Sequence, residues 1–427
     1  MPHLDRERLE AIASKVGTPF HLYAAAQLRR RIANVLAVCE PAQVQPRYAM
    51  KANSATRVLE EIRKNGIWID AVSGNECLRA LRAGFSPGTN PPQVMLTADV
   101  LRDNALDVVC EHNLQVNVGS PGMIRQLAAA GYKQPVAIRL NPGFGHGHVN
   151  SCDTGGPSSK HGIWWSHAAQ TVEEARRHGI KINVLHSHIG SGPQMDELVS
   201  NLKQLIDEFA AVAGEFPDLE GISLGGGIPH NYRAEQPEPD LTRLGEVFSY
   251  ARKTLNAATG KPIRIEIEPG RYYVAPMGTL VARVDDVKTT ESNAKGAGHE
   301  FIMIDAGFID LVRPAMYGSY HRISIPARAE NPSEPFVVAG PMCESGDVFT
   351  RDIDELLAPR QLPRPEPGDL LCLHDTGAYG YSMGSNYNSL GRAPQIWMEE
   401  DGTLTQISRR ETLDDILRAE ITPPVSI

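Results

Sequence analysis

The stretch Arg47-Tyr48-Ala49-Met50-Lys51-Ala52-Asn53 is a short apolar run that carries a lysine at its end. It reads as a strand that stops where a helix begins, so that Lys51 is delivered to the C-terminal end of the strand. A lysine held there in a partly dry pocket has its pKa lowered by burial, and its amine can condense with a carbonyl, which is Schiff-base chemistry. A solvated lysine at a strand end is the plain alternative. The choice depends on what surrounds the run. Working outward, further apolar runs recur at Trp68–Val72, Val94–Thr97, Leu114–Val118, Val136–Leu140, Ile182–His188, Gly221–Leu224 and Ile263–Ile267, with helical stretches between them. With Tyr48–Met50 these make eight strand units, and the alternation predicts parallel strands crossed by helices. Eight parallel strands can close on themselves and leave no unpaired edge. The expected fold is therefore α/β, a (β/α)8 TIM barrel, with a doubly wound open sheet as the alternative.

Beyond Val274 the pattern changes to alternating β stretches such as Leu280–Val284, Phe301–Ile304, Phe336–Val338 and Leu370–Leu373. Asp401-Gly402 reads as a hairpin turn between Gln395–Met398 and Leu404–Ser408, before a last helix over 411–418. The N-terminal strand Thr18–Tyr23 precedes the barrel and is expected to pair into this mostly β C-terminal domain. The expected organisation is a segment 1–25 that joins the β domain, a barrel over 26–275 and the β domain over 276–427.

A chain of 427 residues with 41% hydrophobic and 22% charged residues is an ordinary globular protein. No apolar run approaches a membrane span, and the charged first twenty residues are unlike a signal peptide, so a cytoplasmic protein without a membrane partner is expected. A net charge of -9 with no basic cluster argues against nucleic acid. Six scattered cysteines without a CxxC pair fit neither a zinc ribbon nor a disulfide framework.

A barrel demands that chemistry gather at the C-terminal ends of its strands. Lys51 ends the first strand, Arg139 lies near the end of the fifth, His186 and His188 end the sixth, Gly225-Gly226-Gly227 the seventh, and Glu268-Pro269-Gly270-Arg271 the eighth. The glycine run offers backbone N–H groups to an anion with no side chain in the way, or else is simply a tight turn. Ser191 is placed to add a hydroxyl. Glu266 and Glu268 share a strand face, and a carboxylate facing a barrel interior needs a cationic partner, either a protonated pyridine nitrogen or an arginine. His186 and His188, with the Gly145–His148 loop, also suit a zinc-dependent barrel hydrolase, although no acidic residues are spaced to complete a metal site. Amine, phosphate cup, flat imidazole and inward carboxylate are together the requirements of one cofactor, pyridoxal 5'-phosphate.

The motifs RYAMKAN, LNPGFGHGH, TGGPSSKHGIW, HSHIGSG, GGG, EIEPGRY, DAGFIDLVRPAMYGSYH, GPMCESGDVF and HDTGAYGYSMGSNYNS span nearly the whole chain. In them the chain resembles the fold type III, alanine-racemase-like decarboxylases that use pyridoxal 5'-phosphate. The resemblance implies decarboxylation of meso-2,6-diaminopimelate to L-lysine and CO2, the last step of lysine biosynthesis, with a relative acting on another carboxylate-bearing amino acid as the alternative. It implies that Lys51 holds the cofactor aldehyde and His188 stacks on the ring. Ser191, Gly227, Glu268, Pro269, Gly270, Arg271 and Tyr379 would hold phosphate and pyridine. Cys343 would be the catalytic acid that reprotonates the α-carbon. The substrate would be bound by Arg271, Arg313, Tyr317, Glu344 and Tyr379, the arginines matching its distal carboxylate bidentately. A salt bridge from Arg313 to Asp305 or Asp310 is the structural alternative. The family also implies a homodimer with the active site at the subunit interface, a small amino acid as the only other partner, and no metal. A racemase usually sets arginine against the ring nitrogen, so Glu268 speaks for decarboxylation.

Overall fold

The computed structural model describes residues 5–145, 154–190, 192, 194–294 and 296–425. The chain divides into two compact units. One comprises Met1–Leu28, Asn231–Pro237 and Val274–Ile427, the other Arg29–His230 and Glu238–Tyr273. Helix Arg6–Val16 and strand β1 (Phe20–Ala24) open the first unit.

The second unit contains β2 (Val44–Ala49), β3 (Trp68–Ala71), β4 (Val94–Ala98), β5 (Gln115–Val118), β6 (Val136–Asn141), the two-residue β7 (Ile163–Trp164), β8 (Ile182–His186), β9 (Gly221–Ser223) and β10 (Arg264–Ile267). All pair in parallel in the order β5-β4-β3-β2-β10-β9-β8-β6, and a β5–β6 pairing closes the ring, with β7 added beside β6. The eight expected strands therefore form a closed barrel and not an open sheet. Because the crossover helices cover the outside, the strands are buried on both faces and read as nearly continuous apolar runs.

The barrel interior is more polar than its sequence suggests. Arg47 of β2 lies fully buried, with Nε 2.6 Å from Glu266 Oε2 of β10. Its guanidinium also donates to the carbonyls of Ile69 and Pro92 at 3.1 and 3.0 Å. Arg264 Nε meets the other Glu266 oxygen at 2.6 Å. Burial alone would push Glu266 up, but the two guanidiniums hold it below the usual carboxylate range. Elsewhere in the barrel, Gln115 Nε2 donates to Asn183 Oδ1 at 2.7 Å, and Asn183 Nδ2 to Glu220 at 3.1 Å. The Arg47–Glu266 and Gln115–Asn183 pairs join side chains of different strands, which ties the register of β2, β5, β8 and β10 to specific partners.

The first unit is built on a nine-stranded sheet. Its strands are β1, β11 (Gly278–Thr289), β12 (Glu300–Ile304), β13 (Ile323–Ser324), β14 (Ser333–Ala339), β15 (Arg360–Pro363), β16 (Leu370–His374), β17 (Gln395–Met398) and β18 (Leu404–Ser408). The path runs β15-β14-β12-β11-β1-β17-β18, with β16 joining β11 to β13. As expected, β1 pairs into this sheet, antiparallel to β11 and parallel to β17, and β17 and β18 form the hairpin around Asp401-Gly402. Side chains alternate along β11. Leu280, Ala282 and Val284 pack with Ile302, Ile304, Phe336 and Leu371, whereas Val281 packs on the opposite face with Phe20, Leu22 and helix residues Leu9 and Ile12. The last helix is shorter than expected, Leu413–Leu417. Segment Asn231–Pro237, which the strand count assigned to the barrel, groups with the β unit. No helix among the described residues is long and apolar enough to cross a membrane.

The Arg47–Glu266 pair yields a stability prediction. Arg47→Met leaves the buried Glu266 carboxylate with one cation fewer and should cost about 3–5 kcal/mol in urea unfolding. Combining it with Glu266→Leu should recover part of that loss, since no carboxylate is then left buried short of a cation and only the partly exposed Arg264 loses its partner.

Candidate active site

At the C-terminal ends of the barrel strands lies a cavity of about 610 Å³, lined by Lys51, Asp70, Thr97, Asp99, Arg139, His161, His186, His188 and Glu268 among others. Lys51 lies in the single turn Met50–Ala52 that follows β2. It is exposed, which corrects the expectation of a partly dry pocket: two residues beyond the strand, the side chain has already left the packed wall.

Glu268 follows β10 and is 6% exposed. His186 Nε2, at the end of β8, lies 2.9 Å from its Oε2, and Ser223 of β9 donates its hydroxyl to Oε1 at 2.8 Å. The backbone amide of Glu268 donates to Gly225 O at 2.8 Å, which fixes the segment in line with β9. Burial would raise its pKa, yet His186, the Ser223 hydroxyl and Arg47 hold it low, so the carboxylate is ionised. The nearby Asp70 of β3 goes the other way, pushed up by burial and by the charge on Glu268. Two carboxyls share this cavity and the proton goes to the one without an imidazole partner.

His188 presents a neutral ring. The Gly226 amide donates to its Nδ1 at 3.2 Å, which places the ring proton on Nε2, and burial together with Arg139 pushes its pKa well below the ordinary value. Thr154 Oγ1 donates to His188 O at 2.9 Å and anchors the backbone.

The glycine run is required by the packing. At Gly225, with φ +70°, a Cβ would stand 2.5 Å from Ser187 O and 2.8 Å from His188 Cα. At Gly227, with φ +117°, it would come within 3.0 Å of Gly190 O. Both positions combine a left-handed backbone with no room for a side chain. Pro269 O accepts from the Ala49 amide at 3.4 Å, and a Cβ on Gly270 would meet Ala49 O at 2.9 Å, so the strand carrying Lys51 lies against the Glu268–Arg271 segment. Arg271 is 7% exposed and opens the short helix Arg271–Val274. Ser191 and the histidines at 146 and 148 lie outside the described residues.

Three buried polar atoms of this cavity, His186 Nδ1, Arg139 Nη2 and Asp70 Oδ1, lack a hydrogen-bond partner among the described residues. Together with an exposed amine, an ionised carboxylate, a neutral flat ring and a glycine cradle, they fit a polar aromatic cofactor carrying a carbonyl and an anionic group. Against the alternative of His186 as a zinc ligand, its Nε2 is turned to Glu268. Among the described residues, no group of three or more His, Cys, Asp or Glu could hold a metal ion. Asp70, Thr97 and Ser223 were not singled out from the sequence. The one signal for Asp70 was a lone acid in the otherwise apolar run Trp68–Val72.

The remaining expected residues lie in the β unit. Cys343 is an exposed free thiol whose amide donates to Asn388 Oδ1 at 3.1 Å. Glu344 is exposed, and its Oε1 accepts from the Gly346 amide at 3.2 Å. Arg313 heads the helix Arg313–Tyr317, is 3% exposed and has Nη1 3.0 Å from His321 Nε2. Asp305 accepts from Thr18 Oγ1 and the Arg283 amide, and Asp310 from the Gly307 amide. Tyr317 is half-buried, and Tyr379 holds φ +58°, a conformation costly for a residue with a side chain.

Two family profiles match the chain. One, described as "Pyridoxal-dependent decarboxylase, pyridoxal binding domain", covers residues 25–275, and the other, "Pyridoxal-dependent decarboxylase, C-terminal sheet domain", covers residues 271–377. A diaminopimelate decarboxylase of Streptomyces coelicolor is 42% identical over 425 residues, 98% of this chain and 93% of that protein. The Escherichia coli K12 diaminopimelate decarboxylase is 39% identical over 99% of this chain and 100% of its own length. A crystal structure of a diaminopimelate decarboxylase superposes with a TM-score of 0.88 at 39% identity, covering 97% of this chain and 96% of that one. The Helicobacter pylori diaminopimelate decarboxylase complexed with L-lysine gives 0.83 at 28% identity, covering 96% and 99%. With both profiles matched in chain order and the polar cavity at the strand ends of the first, this chain belongs to the pyridoxal-dependent decarboxylases.

Proposed function

We propose that the protein decarboxylates meso-2,6-diaminopimelate to L-lysine. The ionised Glu268, held by His186 and Ser223 in one cavity with Lys51 and His188, carries the reading, and the relatives of that name over nearly full length support it. The pyridoxal ring, when bound, supplies the electron sink for the carbanion left when CO2 departs. The chain supplies the rest. Lys51 Nζ holds the cofactor through its aldehyde, and Glu268 keeps a proton on the pyridine nitrogen, for which a carboxylate that stays charged in a buried site is required. His188 stacks its neutral ring, and the Gly225–Gly227 run and Ser191 receive the phosphate. Pro269, Gly270, Arg271 and Tyr379 complete the cofactor contacts.

In this reading Arg271, Arg313 and Tyr317 receive the carboxylate at the far end of the substrate and Glu344 receives its distal amine, again with Tyr379. An exposed thiol at Cys343 delivers a proton to the α-carbon. We further propose a homodimer in which Cys343 and Glu344 serve the partner's site. Exposure of both residues is in keeping with such a role.

Three outcomes follow. Lys51→Ala should remove both the visible absorbance of the cofactor-loaded protein and CO2 release. Cys343→Ala should keep the absorbance and slow turnover by about 10²–10⁴-fold, the usual contribution of a positioned acid. Carbon dioxide measured across a panel of meso-diaminopimelate, L-lysine, L-ornithine and L-arginine should come from the first alone. Comparable release from ornithine or lysine would rule out the distal-carboxylate assignment.

A further inference from the structure

Arg313 is the residue on which substrate choice rests in the proposed function, and its surroundings are unusual. The guanidinium Cζ lies 5.0 Å from the centroid of the Tyr232 ring. Its Nη1 lies 3.0 Å from His321 Nε2, and His321 Nδ1 lies 2.8 Å from His374 O. A backbone carbonyl only accepts and a guanidinium only donates, so His321 must carry its proton on Nδ1 and offer the Nε2 lone pair to Arg313. The Tyr232 ring stands edge-on to the His321 ring, with centroids 5.2 Å apart. One aromatic face and one neutral imidazole thus fix the guanidinium in two directions, and neither contact cancels its charge.

Tyr232 comes from the segment Asn231–Pro237, which leaves the barrel sequence after the glycine run and groups with the β unit. Its neighbour Arg233 stacks on Tyr320 at 4.1 Å, and Arg360 lies over the same ring at 4.2 Å. Asn231 Nδ2 donates to Pro237 O and draws the two ends of the segment together. The segment is therefore pinned at the residue next to Tyr232, so the ring offered to Arg313 is not free to swing. On the other side, His374 Nε2 meets Ser324 Oγ at 2.7 Å, which steadies the strand end that His321 leans on.

We propose that Tyr232 and His321 are positioning residues for substrate specificity, a clamp that aims the Arg313 guanidinium at the distal carboxylate of a diamino diacid. The inference rests on Arg313 reading that carboxylate, as set out under the proposed function. A fork aimed in advance loses little on binding, whereas a loose one must be ordered by the substrate itself.

Competitive inhibition of the cofactor-loaded enzyme tests this with two probes. L-lysine keeps the distal carboxylate and cadaverine lacks it, so the ratio of their inhibition constants isolates what the carboxylate contacts, Arg313 among them, contribute and does not depend on the fraction of a variant that is folded. Tyr232→Leu and His321→Phe should each weaken L-lysine by about 10- to 100-fold relative to cadaverine, the range of a hydrogen bond to a charged group. KM for meso-diaminopimelate should rise by a similar factor, with kcat changed far less. Tyr232→Phe, which keeps the aromatic face, and His321→Gln, which keeps an acceptor, should return the ratio toward wild type. If wild type prefers L-lysine and none of the four variants moves that preference, the clamp is overturned while the substrate reading stands. If wild type itself does not distinguish L-lysine from cadaverine, the reading of Arg313 fails and the clamp falls with it.

Discussion

One charge organises the barrel end of this molecule. Glu268 must stay ionised inside a closed ring of strands, where an isolated carboxylate would take up a proton. Two contacts prevent that, the imidazole of His186 and the hydroxyl of Ser223, each from a different strand. Their position relative to Glu268 depends on β8, β9 and β10 being neighbours in register, and that depends on ring closure through β5 and β6. A one-residue slip of any of these strands would turn its inward side chains outward and leave the carboxylate without its partners.

The polar interior beneath the site serves the same end. Arg47 and Arg264 both meet Glu266, and Gln115 donates to Asn183, which reaches out to the exposed Glu220. These contacts are worth little as net stability, since pairing inside a protein mainly offsets the cost of removing charge from water. Their value is selectivity of arrangement, because Arg47 reaches Glu266 and Gln115 reaches Asn183 only across this strand order.

Much of this was readable in the amino-acid order, for a physical reason. Strands buried on both faces leave apolar runs, and each of the eight was marked by one, as were the longer strands of the β unit and its hairpin at Asp401-Gly402. Lys51, His188, the glycines and Glu268 were found because each falls where such a run ends. What eluded the reading was tertiary. The first strand is read from the sequence at Tyr48–Met50, yet β2 spans Val44–Ala49, with Gln45 Nε2 donating to the Pro46 and Gly66 carbonyls. The pairing of Glu268 with His186 joins residues 82 positions apart, and no local pattern announces it. Asn231–Pro237, a polar stretch with a proline, looks like any loop, because its affiliation with the β unit is written in the partners of Tyr232 and Arg233.

The allotment of Met1–Leu28 to the β unit bears on how the chain is made. β1 lies in mid-sheet between β11 and β17, the latter ending at Met398. A ribosome releases β1 long before β17, so in the interval the earlier strand waits with bare amides and carbonyls on both sides. The barrel is in effect a long insertion between two strands of one sheet. Removing β1 would open a slot in the middle of that sheet and take one neighbour from each of β11 and β17.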